Sequence, residues 1–138
     1  MKINDVHLWE QGVIKALNLD DWDLTWSGGA YEHYDAEGKT PKGNKCVIEM
    51  KFRQTYYDTK MLEKFKYDAL MSLPSDITKL YFVNDPKGNY LFWLDKLNMP
   101  ATISKYCPDT TLWTKKRTNK DVYMLDESQA IIINYNKP

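Results

Sequence analysis

The stretch Tyr34-Asp35-Ala36-Glu37-Gly38-Lys39-Thr40-Pro41-Lys42-Gly43-Asn44-Lys45-Cys46-Val47-Ile48-Glu49-Met50-Lys51-Phe52 decides how the chain folds. Gly38, Pro41 and Gly43 mark a hairpin loop, and the residues beyond it alternate in a way that predicts a strand over 45–52. Successive side chains of a strand point to opposite faces, so Cys46, Ile48, Met50 and Phe52 are expected to enter an apolar core while Glu49 and Lys51 stand together on the other face. If Asp35 lies on the antiparallel partner strand, two carboxylates and one ammonium converge. Such a set can hold a hard divalent cation and orient a water, which is the equipment for phosphodiester hydrolysis.

Outward from this hairpin, the apolar spacing of Val6, Trp9, Val13, Ala16 and Leu17 predicts a first helix capped by Asn4 or Asp5 and ended by Asn18-Leu19-Asp20-Asp21. Trp22–Trp26 reads as a short strand, and Ala30–Asp35 as the strand that enters the hairpin. Thr59 is expected to cap a second helix running through Met61, Leu62, Phe65, Ala69 and Leu70 to Pro74. Lys79–Asn84 and Tyr90–Asp95 flank the turn signal Asp85-Pro86-Lys87-Gly88-Asn89 and should pair as a hairpin. Beyond Pro100 the pattern gives a short helix over Ala101–Tyr106, a short strand over Val122–Leu125 and a strand over Ala130–Tyr135, where Ile131-Ile132-Ile133 favours extended backbone. This order predicts an α/β class in the α+β sense: a central mixed β-sheet flanked by helices.

The length of 138 residues suits one domain, 1–138, able to bury a core without disulfides. Nineteen Lys and Arg against nineteen Asp and Glu leave no net charge, so an anionic partner has to be met by a local basic face. Cys46 and Cys107 match no metal-ligand spacing and read as reduced thiols. The opening residues lack the apolar region of a secretory signal and no run is long enough to span a bilayer, so the chain reads as cytoplasmic, with no membrane partner. Ten Tyr and five Trp are read mainly as packing residues, some of them candidates for stacking on bases.

The pattern Tyr34-Asp35 followed by Glu49-Met50-Lys51 resembles the PD-(D/E)xK nuclease superfamily, which includes restriction endonucleases, phage exonucleases and Holliday-junction resolvases. The resemblance implies a restriction-endonuclease-like core over roughly residues 4–85. It implies Mg²⁺, with Mn²⁺ as substitute, on Asp35, Glu49 and the backbone carbonyl of Met50, with Glu10 of the first helix as a further ligand. It makes Lys51 the residue that positions the attacking water. Some members carry Gln-x-x-x-Tyr on the next helix, and Glu63 and Tyr67 stand at that spacing here, one helix face apart by four residues.

The implied activity is a Mg²⁺-dependent endonuclease cleaving DNA, phage-like and acting in the host cytoplasm, with a junction resolvase working as a homodimer as one form of it. A catalytically silent nuclease fold that binds DNA or protein is the alternative. Phosphate contacts are assigned to Tyr67 and to Arg53, Lys60, Lys64 and Lys42, the last four drawn from the three basic clusters about the site, at 39–45, 51–53 and 60–66, with a fourth cluster at 115–117. Among competing acids, Asp23 replaces Asp35 if the sheet register differs, Glu32 falls on the opposite face, and Asp58 reads as turn chemistry. His7 and His33 are neither paired nor spaced as ligands.

Overall fold

In the computed structural model, which describes residues 2–28, 34–108 and 117–133, the strand β3 (Lys45–Phe52) runs through the middle of a six-stranded sheet. Its alternating side chains separate two cores. Cys46, Ile48, Met50 and Phe52 pack with Leu24, Leu80, Phe82 and Leu91 on one face, while Val47 packs with Tyr81, Val83 and Phe92 on the other. The helix α1 (Ile3–Leu19) covers the first face through Ile14 and Leu17. The helix α2 (Lys64–Met71) covers the second through Leu70.

The sheet order is β1-β2-β3-β5-β6-β9, formed by β1 (Asp23–Trp26), β2 (Ala36–Lys39), β3, β5 (Thr78–Asp85), β6 (Gly88–Trp93) and β9 (Ile131–Ile133). β3 and β5 are parallel and the other neighbours antiparallel, so the sheet is mixed. The crossover from β3 to β5 carries β4 (Thr59–Glu63) and α2. A second sheet of three strands, ordered β4-β8-β7, adds β7 (Ile103–Pro108) and β8 (Arg117–Asp126). Single turns of 3₁₀ helix at Leu94–Lys96 and Glu127–Gln129 end β6 and β8. The central mixed sheet flanked by helices is the expected architecture.

The departures lie where pairing between distant segments overrides local pattern. Thr59 caps no helix: residues 59–63 form β4, in antiparallel register with β8 from Thr59↔Asp126 to Glu63↔Val122, and the helix starts only at Lys64. Phe65, placed on the apolar stripe by the helical reading, is accordingly 67% exposed. Ala101–Tyr106 is not a helix either, because Ile103–Pro108 pairs with β8, which is longer than 122–125. The first helix begins at Ile3, and neither Asn4 nor Asp5 caps it, since both lie within its first turn. The Ala30–Asp35 strand lies mostly outside the described residues, as do Glu32, His33, Lys115, Lys116 and the end of the last strand beyond Ile133.

Candidate functional site

Asp35 immediately precedes β2 and is fixed from three sides. Its N–H donates to the Ile48 carbonyl at 2.8 Å, its carbonyl accepts from Ser27 N at 3.0 Å, and its Oδ2 accepts from Met50 N at 2.8 Å. The last bond follows from strand lengths. β2 begins at Ala36, opposite Ile48, so the edge of β3 from Glu49 onward has no backbone partner on that side. The Asp35 carboxylate takes the first donor left over, and thereby lands beside the middle residue of Glu49-Met50-Lys51. In a strand the N–H and C=O of one residue point to the same edge, so the Met50 carbonyl faces the side on which Asp35 sits, while the Met50 side chain is buried in the core.

Glu10 reaches the same place from α1. It is 5% exposed, accepts from Trp26 Nε1 at 2.9 Å and is hydrogen-bonded to Asp35. Burial, then the Asp35 charge, pushes its carboxyl up to about 7. Asp35 itself is raised by burial, against the opposing pull of the Met50 N–H and the Lys66 ammonium. Glu49 is buried and pushed up to about 7 by desolvation, with Lys66 opposing and Asp35 adding to the rise. Lys51 is brought down to about 8 by burial and by the charges of Lys66 and Arg53.

Lys66 was not among the expected site residues, although it belongs to one of the basic clusters. Its Nζ stands 3.2 Å from Glu49 Oε1, and its charge reaches Glu10, Asp35 and Lys51. The charges of Glu49 and Glu63 outweigh burial and raise its own pKa. Only the split of residues 59–71 into strand and helix turns Lys66 toward the sheet, so a reader of the helical pattern had no reason to single it out. Between these groups lies a void of about 10 Å³ lined by Glu49, Lys51, Arg53, Glu63, Lys66 and Tyr81, the scale of a single water.

Other expectations are redistributed. Glu63 and Tyr67 do not flank a metal from one helix face: Glu63 ends β4 and pairs with Lys120 at 3.3 Å, and Tyr67 packs edge-on against Tyr123 with centroids 5.0 Å apart. Lys60 is 4% exposed, and its Nζ is spent on Asp85 at 2.8 Å, Glu127 at 3.2 Å, the Tyr57 carbonyl and the Tyr56 and Tyr90 rings, so its charge is satisfied within the protein. Lys42 is exposed but sits in the hairpin turn, past the Lys39↔Lys45 pair, and four residues of strand separate Lys45 from Glu49, about 13 Å.

Asp23 pairs with Lys39 at that same far end, so the register keeps Asp35 and not Asp23 in the cluster. Lys64 is on the surface, paired with Asp68. Arg53 is half-buried at the rim beside Lys51. His7 lies edge-on to Trp26, centroids 5.3 Å apart, near enough for its charge to act on Asp35.

The donor set suits a hard, oxygen-seeking divalent cation in kind. Among the described residues, however, no three Asp, Glu, His or Cys side chains are drawn closely enough together to enclose one. That spacing is compatible with Mg²⁺, which is commonly held by one or two carboxylates and keeps several waters.

These elements define a restriction-endonuclease-like α+β fold. The Holliday junction resolvase Hjc of Archaeoglobus fulgidus, an archaeal hyperthermophile, shares it with a TM-score of 0.62 at 12% identity, over 90% of this chain and 88% of that one. A likeness at that identity is one of fold. No family profile and no curated protein sequence matches the chain, and no helix among the described residues is long and apolar enough to cross a membrane.

Proposed function

We propose that this chain is a metal-dependent endonuclease that hydrolyses DNA phosphodiester bonds, with Asp35, Glu49 and Lys51 as its catalytic residues. The observation that carries the reading is the 2.8 Å bond from Met50 N to Asp35 Oδ2, which seats one acid against the strand that bears the other acid and the lysine. Asp35, Glu49 and the Met50 carbonyl would hold Mg²⁺ or Mn²⁺, with Glu10 as an outer carboxyl hydrogen-bonded to Asp35. The bound cation supplies positive charge for the scissile phosphate and acidity for the attacking water. Lys51 borders the water-sized void and, with a pKa near 8, exchanges a proton close to neutral pH, which suits it to orient that water and receive its proton. Lys66 occupies Glu49 until a cation displaces it, and Arg53 meets the strand at the rim.

The fold shared with a Holliday junction resolvase favours branched DNA as substrate; a homodimer acting in the cytoplasm of a cell or of a phage host completes the proposal. A second reading, a catalytically silent nuclease fold that binds DNA, is favoured by one observation: Lys66 already neutralises Glu49. The experiment incubates purified protein with plasmid, single-stranded and four-way-junction DNA in Mg²⁺, Mn²⁺ or EDTA, alongside Lys51→Ala and Asp35→Ala. Divalent-dependent cleavage lost in both folded variants supports the enzyme. Binding without cleavage under every condition supports the silent module.

A further inference from the structure

A cavity of about 290 Å³ opens where the chain leaves β3 and the second sheet begins. Arg53 and Met61 line both this cavity and the narrow cleft of Glu49 and Lys51, so the two share a wall. Tyr57 and Tyr106 contribute rings that are 60% and 61% exposed, and Arg53 and Lys105 contribute cations. Lys60 and Asp85 pair with each other in the same lining, to which Asp58 also belongs. The volume lies at the lower end for a small-ligand site, too small for a duplex and of the order of one base with its sugar. Exposed aromatic faces beside cations are the chemistry that holds single-stranded nucleic acid, because a base offers its face for stacking only when it is out of the helical stack.

We propose that this cavity receives one unpaired nucleotide of the DNA strand being cut, its base against the Tyr57 and Tyr106 rings and its phosphate toward Arg53 and Lys105. The inference rests on the endonuclease reading and narrows its substrate to DNA with an unpaired position next to the scissile phosphate. Blunt duplex cannot fill the cavity.

The test measures binding in EDTA, so that no DNA is cut, by anisotropy of a labelled blunt duplex, the same duplex with a one-nucleotide bulge, and the single strand. A second set carries 2-aminopurine at the unpaired position. Expected are tighter binding of the bulge and the single strand than of the duplex, and quenching of the 2-aminopurine. Tyr57→Ala with Tyr106→Ala should weaken bulge and single-strand binding roughly 5- to 150-fold and abolish quenching, as loss of base stacking does. The duplex affinity should stay the same. The Tyr→Phe pair keeps the rings and should retain both signals. Equal affinity for all three DNAs, or quenching that survives the alanine pair, overturns the inference alone. A protein that binds none of the three overturns the endonuclease reading with it.

Discussion

Without metal, Glu49 should make this protein less stable as pH rises, and the effect can be sized. Burial takes its carboxyl from 4.5 to about 7 even with Lys66 at 3.2 Å. In the folded state the group therefore holds its proton across a window in which the unfolded chain has released it. Stability follows the protons: where the folded state binds more of them, raising pH destabilises. The contribution is fully present below pH 4.5 and is lost as pH passes through 7. At 1.36 kcal/mol per pH unit, the loss from Glu49 is about 3 kcal/mol. Urea unfolding in EDTA at pH 5 and pH 8 measures it, with Glu49→Gln as reference because the amide stays neutral and nearly isosteric.

The wild type should lose about 3 kcal/mol more than the variant between the two values, a midpoint difference of roughly 1.5 M urea at an m-value near 2 kcal/mol/M. Mn²⁺ at pH 8 should restore the wild type and leave the variant unchanged, since a ligand that binds only the folded carboxylate stabilises by mass action. Parallel pH profiles for the two proteins would refute the assignment of Glu49 as a strained, cation-seeking acid.

Three further outcomes follow from the same contacts. Lys66→Ala should tighten Mn²⁺ binding several-fold by calorimetry, because the ammonium competes for Glu49 through a partly exposed ion pair; weaker binding would show that Lys66 supports the ion instead. Lys60→Met should cost about 3–5 kcal/mol in urea unfolding, by leaving Asp85 buried without its cation; an unchanged midpoint would show that the pair does not hold the crossover in place. Gly38→Ala should lower Tm by roughly 10 °C, on the order of 3 kcal/mol. Its φ is +154° and an added Cβ would meet the Asp23 carbonyl oxygen at 1.9 Å, so an unchanged Tm would contradict the β1–β2 register.

What was legible in the sequence was whatever a single strand encodes by itself. The 45–52 alternation needs no partner to be read: Cys46, Ile48, Met50 and Phe52 had one face available, and the glycines and proline before them could only be a turn. The second helix failed for the opposite reason. Met61, Leu62, Phe65, Ala69 and Leu70 satisfy a helical period, but Leu62 is buried as a strand residue because Tyr123, sixty-one positions later, lies opposite it in β8. No window around residue 62 contains that information. The site divides in the same way.

Asp35, Glu49 and Lys51 were visible because the hairpin that unites them is local. Lys66 was invisible because its position depends on where α2 starts, and that start is set by β8. Lys42 and Lys60 were grouped with the acids by nearness in sequence, whereas one is carried to the far end of the hairpin and the other turned inward to Asp85. A positive charge close to a motif along the chain is therefore weak evidence of a phosphate contact. Which cations face the acids is settled by the crossover between β3 and β5, and here that crossover delivers Lys66.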